Sequence, residues 1–428
     1  MIDNQIHHLG CDRSDYHLDL TLLEAADEQP EHTKIPARAA ELSGYLGQWR
    51  RRYPRHQLAV CFEQPAANLI AMFSRFEFVI LYAINPATLA SYRDAFVTSG
   101  AKDDPSDSYW LADLVRTHAD KLSAWNPHSP QLRRLAALVQ ARREAVNLLT
   151  AHNNRLISLL KSYYPEALDL IGENHTSMMA VDFLSRWPTL QQLKKSRWSS
   201  VLLFYRKHRC VRKSALERRR ELIEHAEPIS DDAALLEPAV MHLELILGQI
   251  TPLTQAIDRY AQQIQACFQQ HPDHGIVASF PGAGPVFAPR LLAAIGEHRD
   301  RFEDASALQC FSGIAPVMKR SGTMCRVKRR HACPKFIRQS FHEWASESIR
   351  HCRWARAFYA QQRLRGRRHH TSVRSLAFKW QRILFRCWQS RVPYDDETYM
   401  KALQRSNPTL YQEATQIRLP KDKPLAAA

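Results

Sequence analysis

The chain has 428 residues, 45% of them apolar, and a net charge of +16. That length allows two to four domains with sizeable cores, and no apolar run approaches the roughly 18 residues of a membrane span. The start, MIDNQIHHLG, shows neither region of a secretion signal, and nine scattered cysteines without a C-x-x-C pair point to a reducing cytoplasm.

Residues 5–11 (QIHHLGC) and 18–24 (LDLTLLE) read as a strand hairpin. LDLTL alternates strictly, so one of its faces is buried. A helix pattern covers 35–53, a third strand 58–62, a second helix 66–73 and a fourth strand 78–83. INPA then ends that strand, with Pro86 suited to a first helical turn. The simplest assembly is a mixed α/β sheet. From about Ser129 the pattern turns to long helices. Leu132, Leu135, Val139, Val146, Leu149, Leu156 and Leu160 form one 3-4 spaced seam. Leu243, Ile246, Ile250, Leu253, Ile257, Tyr260 and Ile264 form a cleaner one, and both predict coiled-coil segments. Such a seam holds either a helical hairpin within one protomer or a dimer. Pro252 predicts a kink or a late start in the second. At FPGAGPVFAPRLLAAIGE, Gly282 and Gly284 stand between two apolar helix patterns, as in a helix-hairpin-helix. Backbone N–H groups there can meet a phosphate. The tail LPKDKPLAAA reads as disordered.

Four carboxylates in the first quarter suit two-metal phosphoryl transfer. Asp12 and Glu63 each end or follow a buried strand, and Asp104 and Asp107 lie three apart at a helix start, pointing the same way. Two divalent ions about 4 Å apart need hard oxygen ligands gathered from distant parts of a chain. Without a histidine partner, the set favours Mg²⁺ or Mn²⁺ over zinc. From 319 to 391 there are 4 Lys and 16 Arg against Glu343 and Glu347. Aromatics lie between them, which suits phosphate contact with base stacking or, alternatively, a basic surface over a core. Lys319, Arg320, Arg326, Lys328, Arg329, Arg330 and Arg338 surround Ser321 and Gly322. Positive charge there lowers the cost of a serine alkoxide attacking a phosphodiester.

Order and spacing then speak together: the G-x-D strand, Glu63, INPA, D-x-x-D, Pro281-Gly282-Ala283-Gly284, Arg301-Phe302, Gly313-Ile314-Ala315-Pro316, Ser321-Gly322 and Val392-Pro393-Tyr394-Asp395. Over about nine-tenths of the chain this resembles the insertion-sequence transposases that join a RuvC-like DEDD domain to a serine-bearing C-terminal domain, the bridge-RNA-guided recombinases. The resemblance implies an RNase H-like (RuvC-like) metal-binding domain over 1–126, a helical, coiled-coil domain over 127–275, and a serine-bearing transposase domain over 276–396. Residues 397–428 would be a tail. It implies Mg²⁺ at Asp12, Glu63, Asp104 and Asp107, and a covalent phosphoserine at Ser321. The implied partners are donor and target DNA, a structured guide RNA and further protomers, with no membrane. Two departures stand out. Gln64-Pro65 follows Glu63 where the family has a Thr-Gly, and HACPKFIRQ keeps Arg338 without the family's glycine. Asp103 beside Asp104 leaves a one-residue ambiguity in the third ligand.

The rivals are a metal-dependent nuclease or junction resolvase using water, and a non-catalytic nucleic-acid-binding protein. Cys325, His331, Cys333, His351 and Cys352 do not have zinc spacing. His369 and His370 could serve a leaving group. No nucleotide fingerprint is present.

Overall fold

The computed structural model describes residues 5–24, 29–63, 67–96, 104–322 and 324–419, in two units, Met1–Pro127 and His128–Ala428. In the first unit, period-2 alternation builds a five-stranded sheet. β1 (Ile6–Arg13), β2 (His17–Leu23), β3 (Glu31–Pro36), β4 (Gln57–Glu63) and β5 (Val79–Ile84) lie in the order β3-β2-β1-β4-β5. β1, β2 and β3 are antiparallel neighbours, whereas β4 and β5 run parallel to β1. Leu18, Leu20, Leu58, Val60 and Phe62 point to one core. It is closed by α1 (Ala39–Arg52) and α2 (Ala67–Phe73) through Leu42, Leu46, Trp49, Leu69 and Phe73. The other face carries Ala59, Cys61 and Ile84 under α3 (Pro86–Asp94) and α4 (Asp104–His118). Asn85 caps α3 by accepting the Ala87 N–H at 2.9 Å, with Pro86 following it.

The helix expected from residue 35 begins only at Ala39, because 31–36 form the edge strand β3. EHTKIP buries neither face fully, so it carries no hydrophobic period to read.

The second unit is helical except for one hairpin. Its helices begin with α5 (Pro130–Tyr163), α6 (Glu166–Ile171), α7 (Met178–Arg186), α8 (Leu190–Lys194), α9 (Trp198–Lys207), α10 (Lys213–His225) and α11 (Ala233–Gln269). There follow α12 (His274–Ala278), α13 (Gly284–Ile295), α14 (Ala305–Phe311), the strands β6 (Val317–Ser321) and β7 (Met324–Lys328), α15 (Lys335–His351), α16 (Arg353–Leu364), α17 (His369–Ser390), α18 (Asp396–Ser406) and α19 (Pro408–Gln416).

The two seams meet each other. Gln131 and Arg134 at the start of α5 donate to the Cys267 carbonyl (3.2 Å) and Gln263 (2.8 Å) at the end of α11, so the helices are antiparallel. Leu132, Leu135, Val139, Leu156 and Leu160 are buried, as are Leu243, Ile246, Ile250, Ile257 and Ile264. The heptad-like pattern is therefore filled within one chain. α11 continues through Pro238 and Pro252 without a break. By length and composition it could span a membrane, which corrects the expectation that no such segment exists. Its apolar seam is the one packed on α5.

The hydrophobic cores of the second unit run across the expected domain bounds. Leu132, Leu135, Val139, Ile264 and Phe268 share one core with Val277, Leu291, Trp344 and Trp380. The far halves of α5 and α11 form a second core with α6 to α10. The segment from 397 is no tail, because α18 and α19 put Leu403, Leu410 and Ala414 into the first core. The last nine residues of the chain lie outside the described ones.

Ile250 has no exposed surface. Ile250→Asp is expected to cost at least about 4 kcal/mol, since it removes packing and buries an unpaired charge. Urea unfolding of the full chain measures it. An unchanged midpoint would contradict the intrachain seam.

Candidate active site and nucleic-acid interface

β1 and β4 are in parallel register from Ile6–Gln57 to Cys11–Phe62, and the next pair in that register is Asp12 and Glu63. Register neighbours share a face about 4.8 Å apart. Leu9 and Cys11 point to the α1 core, so Gly10 and Asp12 point to α4. The α4 backbone crosses Gly10 so closely that an added Cβ would stand 1.8 Å from the Ser108 carbonyl oxygen. Only glycine fits there. Thr21, paired with Gly10, sits 2.6 Å from the Ser108 hydroxyl. The crossing brings Asp107 to the face that carries Asp12 and Glu63.

Asp107 is 6% exposed and accepts from Arg93 of α3 at 2.7 Å. Asp12 is half-buried and accepts the Arg13 backbone N–H at 2.9 Å. Asp104 opens α4, but its side chain and the whole of Asp103 lie outside the described part, as do Gln64 and Pro65. Sequence reasoning missed Asp19. It pairs across from Asp12, is 8% exposed and holds Lys34 at 3.3 Å. The signal was present in LDLTL: if the leucines face one core, Asp19 and Thr21 must face the other side. It also missed Arg93. Asp12, Asp19, Glu63 and Asp107 offer that face hard carboxylate oxygens of the kind a divalent ion such as Mg²⁺ takes.

Ser321 ends β6 rather than lying in a loop, and its pair across the ribbon is Met324 of β7. Alternation puts Ser321, Arg326 and the pair Val317–Lys328 on one face. Arg320, Cys325, Met318 and Val327 fall on the other, so Arg320 does not share the serine's face. Arg320, Ser321, Arg326, Lys328 and Arg329 are exposed; the Lys319 side chain lies outside the described part. The ribbon was not legible as strands because β7 has no buried residue and so no alternation of burial.

Arg330 and Arg338 are used internally. Arg330 reaches Cys310 Sγ at 3.5 Å, and Arg338 donates to the Arg330 carbonyl and to Cys333 Sγ, both at 3.2 Å. Gly282 (φ +71°) turns its Cβ side to the α15 backbone, where an added carbon would lie 3.0 Å from Ser348 N. The close approach its missing side chain permits is thus to the α15 backbone. Gly284 is exposed at the start of α13 with open space around it.

Five of the aromatics between the arginines offer no stacking surface, whereas Phe336, Phe358 and Tyr359 are half-buried. Phe341, Trp344, Trp354, Trp380 and Trp388 are fully buried. Each indole N–H donates inward: Trp344 to the Pro281 carbonyl (3.1 Å), Trp354 to the Tyr394 hydroxyl (2.9 Å), Trp380 to the Ser348 hydroxyl (2.8 Å) and Trp388 to the Gly296 carbonyl (3.0 Å). Arg350, Arg353, Arg356, Arg363, Arg365, Arg367 and Arg368 are exposed. The basic helices are amphipathic, with tryptophan inward and arginine outward. Ser312 lies buried under Gln381 Nε2 at 2.7 Å.

Among the described residues, His128, Glu297 and His298 are the one group of three metal-ligating side chains with donor atoms within 4.8 Å. Their hydrogen bonds oppose a metal. His128 Nε2 lies 3.3 Å from Arg301 Nη1, which can only donate. The ring proton therefore sits on Nδ1, 3.8 Å from Glu297. His271 Nδ1 accepts the Asp273 N–H at 3.1 Å, so its Nε2 proton faces Glu297 at 3.5 Å. Burial, with Arg301 and His298 alongside, pushes the His128 pKa down to about 4. Burial alone would raise Glu297, but bonds from Ser129 and the nearby imidazoles hold it below the usual carboxylate range. This carboxylate ties the cap of α5 to the turn after α13. Of the other cysteine and histidine candidates, Cys325 is exposed on β7, Cys333 contacts Arg338, His351 pairs with Glu347 at 3.1 Å and Cys352 is buried. His369 Nδ1 lies 2.8 Å from the Tyr359 hydroxyl.

Residues 9–165 match the DEDD transposase family of IS110, and residues 274–360 match the IS116/IS110/IS902 transposase family. The mini-circle IS117 protein of Streptomyces coelicolor is 30% identical over 74% of this chain and 78% of its own length. The 43.6 kDa protein of insertion element IS110 from the same organism is 25% identical, over 68% of this chain and 73% of the relative. The 42 kDa protein of IS900 from Mycobacterium paratuberculosis is 25% identical, over 78% and 82%.

Proposed function

This chain belongs to the IS110 family of insertion-sequence transposases, and we propose that it cuts and rejoins DNA through a phosphoserine formed on Ser321. The Ser321 oxygen attacks a backbone phosphorus, a new Oγ–P bond forms, the P–O bond to the departing strand breaks, and that strand's hydroxyl takes up a proton. Rejoining reverses the step with a different strand end. The single observation that carries this reading is the ribbon of β6 and β7. It presents an exposed serine with Arg326 and Lys328 on the same face, where cations stabilise charge developing on phosphate.

The acidic site belongs to the same reaction. Asp12, Glu63, Asp104 and Asp107 would hold Mg²⁺ or Mn²⁺. When bound, the ions polarise the phosphoryl oxygens and offset the charge of the departing oxygen. The order β3-β2-β1-β4-β5, half antiparallel and half parallel, supports an RNase H-like reading of the first unit. The turn between α12 and α13, with Gly284 exposed at its end, supports a helix-hairpin-helix contact to a backbone phosphate. The exposed arginines of α15 to α17 suit donor and target DNA and a structured guide RNA. The guide and a multimer of protomers are expected from the family resemblance, as is a cytoplasmic setting.

A denaturing gel of the protein with labelled DNA and co-purified RNA, followed by peptide mapping, tests the reading. A DNA-linked peptide containing Ser321 is the expected product. Cleaved DNA that never passes through a protein-linked species would favour the water-using nuclease.

Salt dependence tests the interface. Each neutralised phosphate on duplex DNA contributes about −0.9 to the log–log slope of affinity against salt. Arg326→Gln is expected to make that slope shallower by about one. An identical slope in filter binding between low and physiological salt would remove Arg326 from the interface.

A further inference from the structure

Asp107 is an acidic-site carboxylate with a cation already on it. Arg93 Nη1 lies 2.7 Å from its Oδ1, with side chains 19% and 9% exposed. The contact is built into the packing. Next to Arg93, the Tyr92 hydroxyl donates to Asp113 of α4 at 2.7 Å, and the Tyr92 and Phe96 rings pack on Trp110 at 6.0 and 5.7 Å. α3 is thereby pinned to α4, and the guanidinium is aimed at the first turn of that helix. A second acceptor is at hand. Asp94 Oδ1 lies 3.9 Å from Arg93 Nε and is 72% exposed.

We propose that Arg93 is the resident counter-ion of the acidic site, displaced from Asp107 when a divalent cation loads and received by Asp94 at the surface. The inference rests on the reading of Asp107 as a metal ligand. Its logic is competition. One carboxylate oxygen cannot hold a guanidinium proton at 2.7 Å and also coordinate an ion at about 2.1 Å. Without a cation, Asp12, Asp19, Glu63 and Asp107 would crowd one face of the sheet. Lys34 offsets Asp19, and Arg93 offsets Asp107. Arg93 thus lets the metal-free unit fold and makes the ion displace an internal charge, which weakens binding. A monovalent ion, with half the charge, displaces it poorly.

The test is Mn²⁺ binding to the full chain by isothermal titration, with free Mn²⁺ counted by its electron spin resonance signal. Arg93→Met removes the competing charge and is expected to bind Mn²⁺ about tenfold more tightly. Its metal-free melting temperature should fall, and Mn²⁺ should restore it. Arg93→Gln keeps a hydrogen-bond donor for Asp107 without the charge, protects folding and should shift affinity in the same direction. Unchanged or weaker Mn²⁺ binding in a folded Arg93→Gln protein would overturn the inference. Asp12→Asn separates the two claims. If it abolishes Mn²⁺ uptake while both Arg93 variants bind like the wild type, the metal site stands and the counter-ion falls. If Asp12→Asn binds Mn²⁺ normally, the site and the inference fall together.

Discussion

Ser321→Ala is expected to lower strand cleavage by at least about a thousandfold and to remove the protein–DNA adduct entirely, because no other group replaces an attacking oxygen. The position is exposed at the end of β6, so the change leaves the core untouched and folding should be unaffected. Ser321→Cys should keep a trace of adduct, since a thiolate can also attack. Ser312→Ala serves as the contrast. Ser312 is buried against Gln381, so its loss should cost about 1–3 kcal/mol of stability and spare the adduct. The readout is a denaturing gel together with thermal unfolding. A Ser321→Ala protein that still forms the adduct would place the nucleophile elsewhere.

Asp12→Asn and Glu63→Gln are each expected to lower cleavage by at least about a hundredfold while leaving DNA affinity within a factor of about two. The argument is one of separation. Both carboxylates lie at the ends of parallel strands in the first unit, whereas the exposed arginines are in the second. Removing divalent ions with a chelator should reproduce the loss. Asp107→Asn is the less clean variant, because it also removes the charge that faces the Arg93 guanidinium and so costs stability. Single-turnover cleavage, with filter binding beside it, makes the measurement. Normal turnover by Asp12→Asn would end the case for the acidic site.

Local chemistry was legible wherever one face of an element is buried. LDLTL, the strand before Glu63 and the helix opened by Asn85-Pro86 could be read because alternation and capping act over a few residues. The 3-4 seams of α5 and α11 were legible as seams for the same reason. The edge strand β3 and the ribbon of β6 and β7 were not, because solvent covers residues that would otherwise show a period. The order of motifs, from the strand-end acids to Ser321-Gly322, was enough to indicate the family.

Tertiary structure decided what each pattern packs against. A seam is equally good for a partner chain or for another helix of its own, and the antiparallel bonds of Gln131 and Arg134 select the second. Tryptophan at helical spacing among arginines suits base stacking or a core, and inward indole bonds select the core. A glycine in a turn can admit a neighbouring helix, and at Gly282 the α15 backbone fills that space. Asp19 and Arg93 entered the acidic site only once strand register and helix packing were known. The sequence by itself determined which residues carry charge, apolar surface or turn geometry, because those are properties of single side chains and short spacings. Which residues meet depended on contacts between distant segments, and these exist only after the chain has folded.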